Sequence, residues 1–411
     1  MKNNFKKSFI WNTIGSGLNS FNSLLFMIIV TRINGIKDAG VFTLCFATSC
    51  MLYVIAIYSG RTYQVTETDK EVTDNEYIIN RFLSSSIMLI ISILWSIFND
   101  YNIYKTIILI MLCVFKITEA IADVLYGILQ KNDRLDLVGK SLFIKSSLNI
   151  ILFALINFFT KKLILACLSL SIINILVIII YDLKYVRKYK EKIVKKDFNI
   201  VLKIFTFGFY TFLYTLIANY LVNIPRYAID KTLTIEYQTI YGILIMPASI
   251  IMLANMFIIQ PVITSLKQHY IDNNNKQFTK LALKIISYTA IIGIGCIILA
   301  NFFGIIFFKI VYGLDLSKYK ISLLIIIFGA TLYTISSVFS NCLLILRETK
   351  IQVLIYTIAC CVAYISSSIL VEKYRIDGGA YSYIIMMTVL LIIYIITFIF
   401  KVKKWKTHNE K

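Results

Sequence analysis

Long apolar stretches, each closed by a short polar or charged turn, recur from one end of the sequence to the other. A helix rises about 1.5 Å per residue, so a stretch of about 20 residues crosses a hydrocarbon core of about 30 Å. Hydropathy places twelve such spans, at 9–30, 39–58, 82–98, 104–128, 141–159, 163–181, 202–224, 238–260, 281–308, 321–346, 351–371 and 380–400. The expected fold class is an all-α integral membrane protein. The first stretch follows Lys2, Lys6 and Lys7 as a signal peptide would, but it continues past Phe26 without a small-residue cleavage site and reads as a retained span.

Composition agrees with the pattern. Of 411 residues, 58% are hydrophobic and 16% charged, against about 25% charged in a soluble domain. The formal net charge of +20 could suggest nucleic acid, but its position along the chain points elsewhere. With the N-terminus in the cytoplasm, and each cation assigned to the nearer side, the inner side holds 29 Lys and Arg and the outer side 12, with Lys116 inside a span. Both termini are then expected in the cytoplasm of a multi-pass inner-membrane protein. The excess forms a collar facing anionic membrane lipids and calls for no nucleic acid.

The densest basic block, at 182–198, has six spans on either side. The expected organisation is an N-lobe at 1–181, a basic linker at 182–200, a C-lobe at 201–400 and a basic tail at 401–411. Six is even, so the two six-helix lobes insert the same way up, as parallel repeats do. A transporter of this kind is expected to hold its site between the lobes.

Several chemistries find no support in the sequence. No outer loop exceeds about fifteen residues, and there is neither a paired-carboxylate motif nor a phosphate-binding glycine loop. The eight cysteines lie in predicted spans without metal-ligand spacing, and the two histidines, His269 and His408, lie in predicted loops. The expectation is a protein that is not an enzyme and holds no metal or cofactor.

The polar groups inside the spans are the informative ones. Lys116, Glu119 and Asp123 stand at i, i+3 and i+7 on one face of the fourth span. A Lys or Asp at mid-membrane costs about 2.5–3.5 kcal/mol, so this face must meet protein or water, as a cavity wall or as a structural ion-pair cluster. The first span carries Asn12, Ser16, Asn19, Asn22 and Ser23 at helical spacing, as inter-helix glue or as a wet wall. Arg32, Arg61, Arg226 and Arg347 lie near span ends, where guanidinium forks either reach head groups or grip phosphate. In "NYLVNIPRYAID", Pro225 is expected to stop or bend the seventh span, and Asp230 to pair with Arg226 if the turn is helical. Pro247, in "GILIMPASII", is a candidate hinge or a static kink.

Four pieces carry a likeness: "WNTIGSGLNS" leading to "TRINGIKDAGVFTLCFA", then "DVLYGILQKNDRLDLVGKSLFIKSSL", then "IPRYAIDKTLTIEYQTIYGILIMPASI" with "QPVITSL", and finally "GGAYSYIIM". In these the sequence resembles the Wzx-type polysaccharide flippases of the multidrug/oligosaccharidyl-lipid/polysaccharide (MOP) superfamily. "TIEYQTIYG" departs from the family's usual small residue before the aromatic. The resemblance implies two lobes opening as a V, a substrate of undecaprenyl-pyrophosphate-linked oligosaccharide, export for O-antigen or capsule assembly, and a polysaccharide polymerase machinery as partner. It implies a cationic cavity in which Arg32, Arg61, Lys116 and Arg226 hold the pyrophosphate. Asn19, Glu119, Asp123 and Asp230 would serve the cavity or its coupling to a proton or sodium ion. A cation-coupled drug antiporter of the same superfamily and a membrane glycosyltransferase or polymerase are the alternatives.

Overall fold

A computed structural model describes residues 2–58, 60–66, 72–189 and 198–409, and every regular element among them is helical. Part of the expected linker, residues 190–197, lies outside the described residues. The chain forms two compact units, Met1–Leu216 and Ile217–Lys411.

The first unit contains α1 (Lys2–Ile33), α2 (Ile36–Ile57), α3 (Gly60–Thr66), α4 (Asp74–Phe98), α5 (Ile103–Lys131), α6 (Leu135–Thr160), α7 (Leu163–Val177), α8 (Leu183–Val186) and α9 (Phe198–Phe207). A π-helical turn over Ile178–Asp182 joins α7 to α8. Local chemistry marks the helix ends. Thr73 and Glu76 form a capping box at α4, and the Asn102 side chain accepts from the Lys105 amide at α5. Gly35, at φ 89, makes the turn between α1 and α2. The apolar centre includes Phe26, Phe42 and Phe153, with the Phe153 ring 4.8 Å from Phe26 and 5.7 Å from Phe42.

The helices α1 and α6 cross at two glycines. A Cβ on Gly15 would lie 2.1 Å from the Gly139 carbonyl oxygen, and one on Gly139 would lie 2.2 Å from Trp11 backbone atoms. With no hydrophobic drive between helices in lipid, such close backbone approach is a main source of association. Gly139→Leu should therefore destabilise the protein by about 1–3 kcal/mol or more. Gly17→Ala, in open space on α1, should not. Thermal unfolding in detergent distinguishes them; equal midpoints would remove this crossing from the account.

α10 (Phe209–Thr232) spans the boundary between the units. Pro225 does not stop it: the helix continues to Thr232, beyond the expected end at 224. The units meet in sequence at 216/217, and Phe205 and Phe212 pack on the Tyr58 ring, at 4.8 and 4.5 Å, joining this stretch to the first unit.

The second unit adds α11 (Ile235–Ile271), α12 (Asn275–Leu299), α13 (Ile305–Tyr312), α14 (Lys320–Ile345) and α15 (Thr349–Asn409). α14 packs on α15, α11 and α12. Within α15 the backbone breaks at Arg375, whose φ of 54 is non-helical, so this element holds two expected spans, 351–371 and 380–400.

Among the described residues nine helices are long and apolar enough to cross a membrane, or ten if the bent pair Asn199–Thr206 and Phe209–Thr232 counts as one. Twelve were expected. Two features reduce the count: α5 carries Lys116, Glu119 and Asp123 in its apolar run, and α15 counts once although the kink at Arg375 joins two spans within it.

Candidate functional site

Inside the first unit, α1, α2, α3, α5, α6 and α7 enclose a cavity of about 200 Å³. Asn19, Tyr53, Arg61, Glu119, Asp123 and Lys145 supply its charged groups and much of its polar wall. The helical period brings these groups together. Glu119 and Asp123 are four apart on α5, and Ser141, Lys145 and Asn149 are four apart on α6, so each set presents one face.

Ion pairs frame the cavity. Lys116 Nζ lies 2.7 Å from Glu119 Oε2 and stands among the Phe46, Tyr53 and Phe115 rings. Arg81, buried on α4, donates to the Ala56 carbonyl at 2.9 Å and lies 3.4 Å from Asp123 Oδ2. Lys145 Nζ donates to Asp182 Oδ2 at 2.5 Å and to the Tyr126 hydroxyl at 3.0 Å. The Tyr126 and Ser141 oxygens are 2.8 Å apart. An amide relay continues the network: Asn149 donates to Asn174 Oδ1 and Asn174 to Thr118 Oγ1, each at 3.0 Å, while Ser146 reaches Asn19 Oδ1 at 3.3 Å.

The wall thus contains two cations, Arg61 and Lys145, and two carboxylates, Glu119 and Asp123. Their bound neighbours add Lys116 and Arg81 on one side and Asp182 on the other. Cations exceed carboxylates, four to three. Arg61 has no ion-pair partner among the described residues, so its fork of donors is the group best placed to take an anion.

Four of the expected residues, Asn19, Arg61, Glu119 and Asp123, therefore share one cavity, with Lys116 bound to Glu119 behind it. Arg32 is exposed in the last turn of α1. Arg226, Asp230 and Pro247 belong to the second unit. Arg226 is 6% exposed, with its guanidinium 6.0 Å from the Tyr241 ring centre, and its carbonyl accepts from Gln238 Nε2 at 2.6 Å. Asp230 is half-buried one turn further along α10, and Pro247 lies inside the unbroken run of α11.

Sequence reasoning misses Lys145, Asp182 and Arg81: the two cations lie close to predicted span ends and fall in the cytoplasmic collar, and Asp182 opens the basic block at 182–198. The four-residue spacing of Ser141, Lys145 and Asn149 was the available signal. The α5–α6 turn, "NDRLD", carries a clasp of its own. Arg134 grips both Asp136 oxygens, at 2.9 and 3.1 Å, and donates to the Tyr189 hydroxyl, closing the α5–α6 turn onto the segment after α8. The hydrogen-bonded Asp136 carboxylate raises the Arg134 pKa above its ordinary value, so the clasp holds throughout the physiological range.

Comparison with solved structures defines the fold. The chain superposes on the lipid II flippase MurJ in an inward closed conformation with a TM-score of 0.72 at 16% identity, covering 97% of this chain and 90% of that one. Against the inward-facing conformation of a multidrug resistance MATE family transporter of the MOP superfamily the TM-score is 0.71 at 12% identity, covering 96% and 99%. The protein has the MOP-type transporter fold over its whole length and is a multi-pass membrane protein. By sequence it is a distant relative of the capsular polysaccharide biosynthesis protein CapF of Staphylococcus aureus, 27% identical over 394 residues, 94% of this chain and 98% of that protein. No family model matches.

Proposed function

We propose that this protein moves an undecaprenyl-pyrophosphate-linked oligosaccharide from the inner to the outer leaflet of a bacterial cytoplasmic membrane, for assembly of a capsule or related surface polysaccharide. In this reading the chain makes twelve crossings, six in each half, and works by alternating access. The observation that carries it is Arg61, a guanidinium in the wall of an intramembrane cavity without an ion-pair partner among the described residues. A fixed fork of N–H donors suits two phosphate oxygens at once. Lys145, in the same wall, supplies a second positive charge, and the amides of Asn19, Asn149 and Asn174 offer donors and acceptors to hydroxyl groups.

The similarity to a capsular polysaccharide biosynthesis protein along nearly the full length of both chains supports the pathway. The shared fold with a lipid II flippase supports a lipid-linked cargo. A drug antiporter would need net negative charge for a cationic substrate, yet both cavity carboxylates on α5 already have cations beside them.

The membrane potential suffices to bias export. Moving two negative charges outward across 100 mV gains about 4.6 kcal/mol. Coupling to a proton or sodium ion is not required by this arithmetic.

Deletion of the gene tests the function in cells. Undecaprenyl-linked repeat units should accumulate on the cytoplasmic side while surface polysaccharide falls. A deletion strain with normal surface polysaccharide and no accumulated repeats would overturn the proposal.

A further inference from the structure

A second recess opens in the other unit, at the end that the Lys and Arg distribution assigns to the cytoplasm. It measures about 300 Å³ and is lined by Tyr270, Asn273, Leu346, Glu348, Lys401, Lys404 and Trp405. These residues come from the end of α11 and the turn after it, the turn between α14 and α15, and the last turns of α15. Four helix ends meet here, where candidate membrane spans end or begin at Asn275, Ile345, Thr349 and Trp405. The recess therefore lies at head-group depth.

Its construction is specific. The Trp405 ring sits 5.1 Å from Tyr270 and edge-on to Phe278 at 5.4 Å, which fixes the last turns of α15 beside the α11–α12 turn. Lys401 Nζ lies 2.5 Å from Glu348 Oε1 and keeps further N–H donors, and with Lys404 the charged groups of the lining sum to +1. Lys404, three residues on and therefore on the same helical face, adds a second ammonium. Lys267, Lys276, Lys280, Arg347, Lys350 and Lys403 belong to the same end of the unit, against Asp272 as the other carboxylate among its described residues. Indole and phenol rings beside lysines at the edge of the hydrocarbon match a phosphate with an acyl body below it.

We propose that this recess binds the phosphate-bearing head group of an anionic membrane lipid, with Lys404 and Lys401 on the phosphate and Trp405 and Tyr270 against the glycerol and upper acyl region. The site does not depend on the transport reading, since it uses none of the cavity residues of the first unit.

Trp405 provides its own reporter. The chain has three tryptophans, so Trp11→Phe with Trp95→Phe leaves one indole. The full-length protein in an uncharged detergent is titrated with dihexanoylphosphatidylglycerol, dihexanoylphosphatidylcholine and inorganic phosphate. The expected result is a saturable Trp405 fluorescence change with the glycerol lipid, at least about tenfold weaker with the choline lipid, and none with phosphate alone at equal concentration. Lys404→Gln, which leaves the Lys401–Glu348 pair intact, should weaken the glycerol lipid about fivefold in a variant whose circular dichroism matches the parent's. Equal response to both lipids, or no saturable response, overturns the proposal. An equal response to phosphate alone would make this a free-anion site and overturn the lipid assignment. Should the tryptophan variants fail to fold, native mass spectrometry of the otherwise unaltered chain reads the same outcome. Phosphatidylglycerol should stay bound there and be lost on Lys404→Gln, and retention by the variant counts against the site.

Discussion

Lys145→Ala should destabilise the first unit by about 3–5 kcal/mol, because it removes one partner of a buried ion pair and leaves the other behind. The Lys145 and Asp182 side chains are 6% and 0% exposed, and the ammonium also donates to Tyr126. Without it, the buried Asp182 carboxylate has lost its counter-charge. Tyr126 loses a donor in the same change. Removing both charges is a different experiment: Lys145→Met combined with Asp182→Leu should recover most of the loss, since apolar side chains of similar volume replace a pair whose desolvation cost is large. Thermal unfolding of the single and double variants in the same detergent reads the difference. A double variant no more stable than Lys145→Ala would mean that the pair is not acting as a unit.

Arg61→Ala should lower transport per inserted molecule by about ten- to a hundredfold, the equivalent of one or two charge-assisted hydrogen bonds at about 1.5–3 kcal/mol in all. Arg61→Lys keeps the charge but loses the planar fork, so it should restore only part of the activity if two phosphate oxygens are held together. Protein abundance separates this from a folding defect. Arg61 makes no ion pair among the described residues, and its truncation should leave insertion and thermal midpoint close to those of the parent. Full activity in Arg61→Ala would remove the anion from this cavity.

How far the sequence could be read follows from where each signal is strong. The apolar periods announce an all-helical membrane protein, and the polar face of α5 announces a cavity or an ion-pair cluster. The structure contains both. Glu119 and Asp123 line the cavity while Lys116 and Arg81 bind them. The charges that give α5 its polar face are the same ones that take it off a purely hydropathic count of spans.

What stays hidden lies at the ends of predicted spans. A lysine four residues inside a predicted span resembles any cation of the cytoplasmic collar, and only its contact with Asp182, thirty-seven residues away, makes Lys145 a wall residue. Arg226 shows the converse. An apolar run closed by Pro-Arg looks like a span ending in an exposed loop, yet α10 continues for a further two turns and buries the guanidinium beside Tyr241. Proline removes one backbone donor, and tertiary packing decides whether the helix survives it.

In the proposed function the cavity serves passage of a diphosphate-linked lipid through the bilayer. Reconstitution of the purified chain into sealed vesicles containing undecaprenyl-pyrophosphate-linked oligosaccharide tests it most directly, with an impermeant sugar-cleaving enzyme added outside. With the parent protein, cleavage should proceed past the outer-leaflet half to near completion. With Arg61→Ala it should slow by about tenfold or more, and vesicles without protein should stop at half. Cleavage that halts at half with the parent chain would contradict the account.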